Sequence, residues 1–116
     1  MTRFELILEV ESAADWRSRK ADEYPDARNS RAAAALRRAA RDLAELPDDD
    51  PRFLRMDSFF ETVDEDATGC YMEESKRIIG RHGFDREDET TAELLASLLN
   101  VLQQAEVDSL DRQTEE

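Results

Sequence analysis

The chain has 116 residues, enough for one domain whose core needs neither a metal nor a disulfide. Charged residues make up 39% of it, hydrophobic residues 40%, and the formal net charge is -13. That surplus of carboxylates repels a nucleic-acid backbone and argues against direct DNA or RNA binding, while leaving room for a basic protein partner.

The acid is unevenly placed. Residues 1–46 carry nine basic and nine acidic groups, so the whole surplus lies in residues 47–116. Cys70 is the single cysteine, so no intramolecular disulfide forms, which favours a reducing compartment. No apolar run reaches membrane-spanning length, and no signal peptide is evident. A cytoplasmic location is the expectation.

In chain order, Thr2 to about Tyr24 reads as a helix. Residues 4–10 alternate at period two and would also suit a strand. The helix is preferred because Thr2 and Glu5 have capping-box spacing, and because Glu5, Glu9 and Glu11 precede Arg17, Arg19 and Lys20. Leu6, Val10, Ala13 and Ala14 keep a helical stripe, and Pro25 closes the segment. Arg31 to about Leu46 is the clearest helix, capped by Asn29 or Ser30. It has Ala32, Leu36, Ala39, Ala40, Leu43 and Leu46 on one face.

Asp50 then caps a third helix with Pro51 at its first position. Phe53, Met56, Phe60 and Val63 form its apolar face, with Phe59 nearby. Residues 64–69 are ambiguous: one helix could run over 52–81, but a break with Asp66 as cap and Gly69 in the next turn is preferred. Gly83 and Phe84 supply a glycine stop with an apolar residue folding back. The last helix begins after Asp85 or at the Thr90–Glu93 capping box and runs to about Glu106. The expected architecture is all-α, a compact bundle-like arrangement of four or five helices. The expected domain spans 1–106, followed by a frayed acidic tail over 107–116.

The motifs of chemistry are missing. One histidine and one cysteine do not make a zinc site. The twelve positions from Asp64 begin like a calcium loop but end on Ser75 instead of an acid. Cys70 and His82 would stand about 18 Å apart on a continuous helix. Cys70 is expected to be a buried small hydrophobe, and His82 to bond the last carbonyls of its helix. No catalytic residue, cofactor or metal ligand is therefore expected.

The expected function is a non-enzymatic protein-binding or regulatory helical module, its process unspecified. The alternative is an acidic neutralising protein that mimics nucleic acid and covers a basic partner, such as a nuclease toxin or a DNA-binding protein. The candidate interface residues are Trp16, the exposed Arg37, Arg38 and Arg41, and Leu95 and Leu99. Two of the arginines are expected to pair within their own helix, Arg38 with Asp42 and Arg41 with Glu45, giving a self-neutralising solvated face. The apolar arc of the last helix, at about 160°, is wider than a bundle edge needs. Either the aromatic third helix covers Leu95 and Leu99, or a second copy does so in a two-fold homo-dimer.

Overall fold

The computed structural model describes residues 1–114. It consists of five helices: α1 (Arg3–Glu23), α2 (Ala27–Glu45), α3 (Pro51–Thr62), α4 (Glu65–Arg81) and α5 (Thr91–Thr114), with no strand among the described residues. The all-α expectation holds, and residues 4–10 are helical.

Local chemistry sets most boundaries. The Thr2 hydroxyl accepts the Glu5 N–H at 3.2 Å and opens α1. Asp50 caps α3, with Pro51 at its start. The Thr90 hydroxyl accepts the Glu93 N–H at 3.1 Å and opens α5. Two caps differ from expectation. The α2 helix is capped by Asp26, not by Asn29 or Ser30. Pro25 holds the preceding Tyr24 extended, and the Asp26 carboxylate then accepts the Arg28 N–H at 2.9 Å and is clamped by the Arg28 guanidinium. The break between α3 and α4 is real, but its cap is Asp64 instead of Asp66. Val63 is extended, so the Asp64 carboxylate is the first able to accept a free N–H, that of Ala67 at 2.8 Å.

The core forms along the predicted stripes. Leu6, Val10 and Ala14 of α1 belong to one cluster with Leu36, Ala39, Ala40 and Leu43 of α2. The α1–α2 packing is the most extensive in the molecule. Small alanines on α2 permit that close approach, and Ala33 and Ala35 are buried as well. On α3 the aromatic roles are exchanged. Phe59 is fully buried and Phe60 only half-buried. The Phe59 ring lies 5.3 Å from Phe60 and 4.9 Å from Tyr71, in edge and tilted geometries that suit ring quadrupoles. Cys70 is exposed, contrary to expectation: Ala67, Tyr71 and Ser75 form the buried stripe of α4 and turn position 70 outward.

The tail also differs. The α5 helix continues past Glu106 to Thr114 because a distant partner holds it. Buried Ser109 accepts the Asp64 N–H at 3.3 Å, and Arg112 clamps the Asp64 carboxylate at 2.8 and 2.9 Å. One carboxylate thus caps α4 and pins α5, which holds its pKa down at about 2. Residues 115 and 116 lie outside the described region.

Helix C-termini present carbonyls without intrahelical partners. Two arginines of α1 satisfy them. Arg3 donates to the Ala44 carbonyl at 2.9 Å, at the end of α2, and also bonds Leu46. Arg17 donates twice to the Gly80 carbonyl, at 2.7 and 3.1 Å, at the end of α4. It donates again to Asn29 Oδ1 at 3.0 Å. Its guanidinium lies 4.7 Å from the Trp16 ring centre and 4.1 Å from that of Phe84. Replacing Arg17 by Lys keeps the charge but loses the planar fork, and is expected to cost about 2 kcal/mol. Arg19→Lys, on the exposed face, should cost less than about 0.5 kcal/mol. Urea midpoints of the two variants check this.

Gly83 ends α4 with φ +76°, and a Cβ placed there would stand 2.4 Å from the Ala35 Cβ. Gly69 lies inside α4 with open space around it. Gly83→Ala should therefore cost about 2–4 kcal/mol through left-handed backbone strain and overpacking. Gly69→Ala should stabilise by about 0.5–1 kcal/mol through helix propensity. Denaturant midpoints with unchanged slopes would show both.

Candidate functional site

The loop between α4 and α5 gathers a group of titratable side chains around His82. Gly83 reverses the chain, and the Phe84 N–H returns to the Arg81 carbonyl at 3.0 Å. Glu89 then turns inward. Its Oε2 accepts the Gly83 N–H at 2.7 Å and stands 3.3 Å from His82 Nδ1. His82 is buried. Its side chain faces Glu89 instead of bonding the last carbonyls of its helix, and Arg17 bonds the Gly80 carbonyl there. The backbone N–H of His82 does return to Ile79, at 3.2 Å.

Two cavities flank the imidazole. One, of about 260 Å³, brings Arg81, Arg86, Glu93 and Ser97 to it, and the Arg86 guanidinium pairs with Glu93. The other, of about 270 Å³, brings Arg38, Asp42 and Thr91. Burial pushes the His82 pKa below its ordinary 6.5. Glu89 opposes that shift, Arg38 adds to it, and Glu93 opposes it. The imidazole is therefore neutral at pH 7 and could accept a proton. A nucleophile is not at hand in Cys70, which is exposed on α4 about 18 Å earlier along the helix. Among the described residues no three His, Cys, Asp or Glu side chains converge as a metal-binding group.

The expected interface residues are dispersed. Trp16 is 43% exposed and packs on the Arg17 guanidinium, so it belongs in part to the arginine cap. The three arginines are all exposed but do not act as one patch. Arg37 and Arg41 line a groove against Glu11 and Asp15 of α1. Arg37 donates to Ser18 Oγ at 2.7 Å, and Asp15 stands 3.9 Å away. Arg38 instead faces the His82 cavity. Neither expected pair within α2 forms: Asp42 accepts the Thr91 hydroxyl at 2.6 Å instead, and among the described residues the one α1 acid near an α2 arginine is Asp15 beside Arg37.

Leu95 is only 1% exposed, and Leu99 is partly buried against the core. Packing within the chain covers them, so the pair offers little free surface for a two-fold dimer.

The apolar side chains that remain in water are different ones. Phe4 is 68% exposed, Leu8 47% and Leu54 55%. Phe4 and Leu54 line one cavity of about 250 Å³ together with Asp48 and Asp57. The sequence carried half of this signal. Phe4 and Leu8 fall on the opposite side of the helical wheel from Leu6, Val10 and Ala14. The proximity of Leu54 is a tertiary fact with no local trace.

No family model, curated protein or solved structure matches the chain. Among the described residues, no helix is long and apolar enough to cross a membrane.

The buried imidazole has a consequence for stability. The unfolded chain takes up its histidine proton near pH 6.5, while the fold holds that pKa lower. The stabilisation is therefore complete above pH 6.5 and is lost as pH falls through the window below it. Urea midpoints should drop between about pH 7.5 and about pH 5.5, and His82→Gln should remove the drop. An equal fall in the variant would assign it to other groups.

Proposed function

We propose that the chain is a non-enzymatic protein-binding module acting in the cytoplasm. The observation that carries this reading is the set of large apolar side chains left in water on an acidic surface, above all Phe4, Leu8 and Leu54. Single exposed hydrophobics are ordinary, but groups that meet at a cavity rimmed by polar residues mark interaction surfaces. The His82 loop supports the same reading. Its charged groups are largely engaged with one another, with Glu89 held by Gly83 and Arg86 by Glu93. That is the arrangement of a loop fixed by its own contacts. The unpaired Cys70 on the surface suits a reducing compartment.

A second reading has its own support. Residues 47–116 hold the whole net charge of -13. Asp57, Glu61, Glu65, Asp66 and Glu73 from this region are all exposed. Such a surface suits an acidic protein that neutralises a basic partner by standing in for nucleic acid.

Salt separates the two. Affinity capture from the native host's lysate at about 0.05 M and about 0.5 M salt should recover the same protein at both if apolar contact dominates. A partner retained only at low salt would favour the neutralising reading. Capture of nothing at either concentration would count against both.

A further inference from the structure

We propose that the outward face at the start of α1, with Leu54 of α3, docks a basic amphipathic helix of a partner protein. The proposal rests on the protein-binding reading above and names the surface and the partner's chemistry. Phe4 and Leu8 lie one turn apart on α1 and are among the most exposed apolar side chains of the chain. Leu54 joins Phe4 across the cavity of about 250 Å³, whose floor includes the buried Phe53. An apolar ridge beside an apolar-floored cavity suits a helix that inserts one large side chain and lays its neighbours at i+3 and i+4 along the ridge.

Charge chooses the partner. At 100° per residue, Phe4, Leu8, Glu11 and Asp15 fall within an arc of about 60°, and Glu5 lies about 60° beyond it. All three of these acids are exposed, and of them only Asp15 has an arginine beside it, Arg37 at 3.9 Å, so Glu5 and Glu11 carry the charge of this face. Asp57 adds an exposed carboxylate at the rim of the cavity, while Asp48 is engaged by Arg3 at 2.8 Å. A helix with a leucine-type ridge flanked by Lys or Arg meets this face with both its apolar and its charged groups matched. A second copy of this chain would bring acid against acid, with -13 on each side.

The test uses the full chain and a synthetic helix of about 18 residues made of Leu and Lys with the leucines on one face. A peptide of the same composition in scrambled order is the control. Titration into isotope-labelled protein, followed by amide NMR, should give saturable binding with shifts centred on residues 4–12 and 54–57. Phe4→Ser with Leu54→Ser should weaken binding by about tenfold or more, while Val107→Ser with Leu110→Ser on α5 should leave it unchanged. Glu11→Gln with Asp57→Asn should weaken it less and flatten its salt dependence. All these substitutions are at exposed positions, and circular dichroism verifies the fold of each variant.

Equal binding of the scrambled peptide would overturn the proposal, as would no saturation by ~1 mM or indifference to Phe4→Ser with Leu54→Ser. Lysate capture with that same double variant separates this surface from the broader reading. A native partner still captured would overturn the surface and leave the binding module standing, whereas loss of the partner would support both.

Discussion

Arg17 fixes the relation between α1, α2 and the end of α4. Its five donors lie in one plane, and three of the bonds it makes reach two elements far apart in sequence: the Gly80 carbonyl and the Asn29 side chain. The carbonyl is one of those that a helix terminus leaves unpaired, so the arginine supplies what α4 cannot supply to itself. Trp16 and Phe84 flank the guanidinium and shield it from water. Burial lowers the Arg17 pKa, Arg81 lowers it further, and Asp85 opposes the shift. A group this basic stays charged, and its bonds to neutral acceptors are accordingly strong. Once α1 and α4 are joined here, Gly83 must turn against Ala35 of α2, and the left-handed backbone at that position is what lets the chain pass.

Arg3 repeats the device at the other end of α1, where it meets the carbonyls closing α2. The first helix therefore does three things with one face. It supplies apolar side chains to the core through Leu6, Val10 and Ala14, and it caps two neighbouring helices with cations placed near the negative ends of their dipoles. Arg3 and Arg17 are drawn inward as caps, and Arg37 approaches Asp15 across the α1–α2 groove. Glu5 and Glu11 of α1 are left exposed.

The parts of this fold that could be read from the sequence are those encoded within four residues. The Thr2–Glu5 and Thr90–Glu93 pairs, the Asp50–Pro51 start and the Gly83–Phe84 stop each satisfy free backbone groups with close neighbours, so no tertiary knowledge was needed. Asp26 and Asp64 were missed because several capping side chains stood within a turn of one another. The choice among them depended on where the backbone became extended. The helical end of α5 was missed for a different reason: what holds Arg112 and Ser109 is Asp64, more than forty residues away. Phe59 and Phe60 exchanged roles because adjacent wheel positions differ by less than the width of a buried face. The candidate site was harder still. Of the i,i+4 charges expected to pair on α2, Asp42 turned to Thr91 of α5, and of the two surplus leucines of α5, Leu95 lay inside the core and Leu99 packed against it.

The division of labour on α1 bears directly on binding. Because its inward face carries both core packing and the arginine caps, the outward face is free of structural duties. Phe4 and Leu8 add little to the stability of the isolated chain, since much of their surface stays hydrated. Covering each would release about 1–2 kcal/mol of hydrophobic free energy that folding alone does not capture. Association must first overcome the loss of translational and rotational freedom, so three such side chains give at most a modest affinity without further contacts. The carboxylates around them supply the second contribution and act at longer range, drawing in a basic partner before contact and turning away another acidic chain. Apolar area sets how firmly a partner is held on this face, and charge sets which partner reaches it.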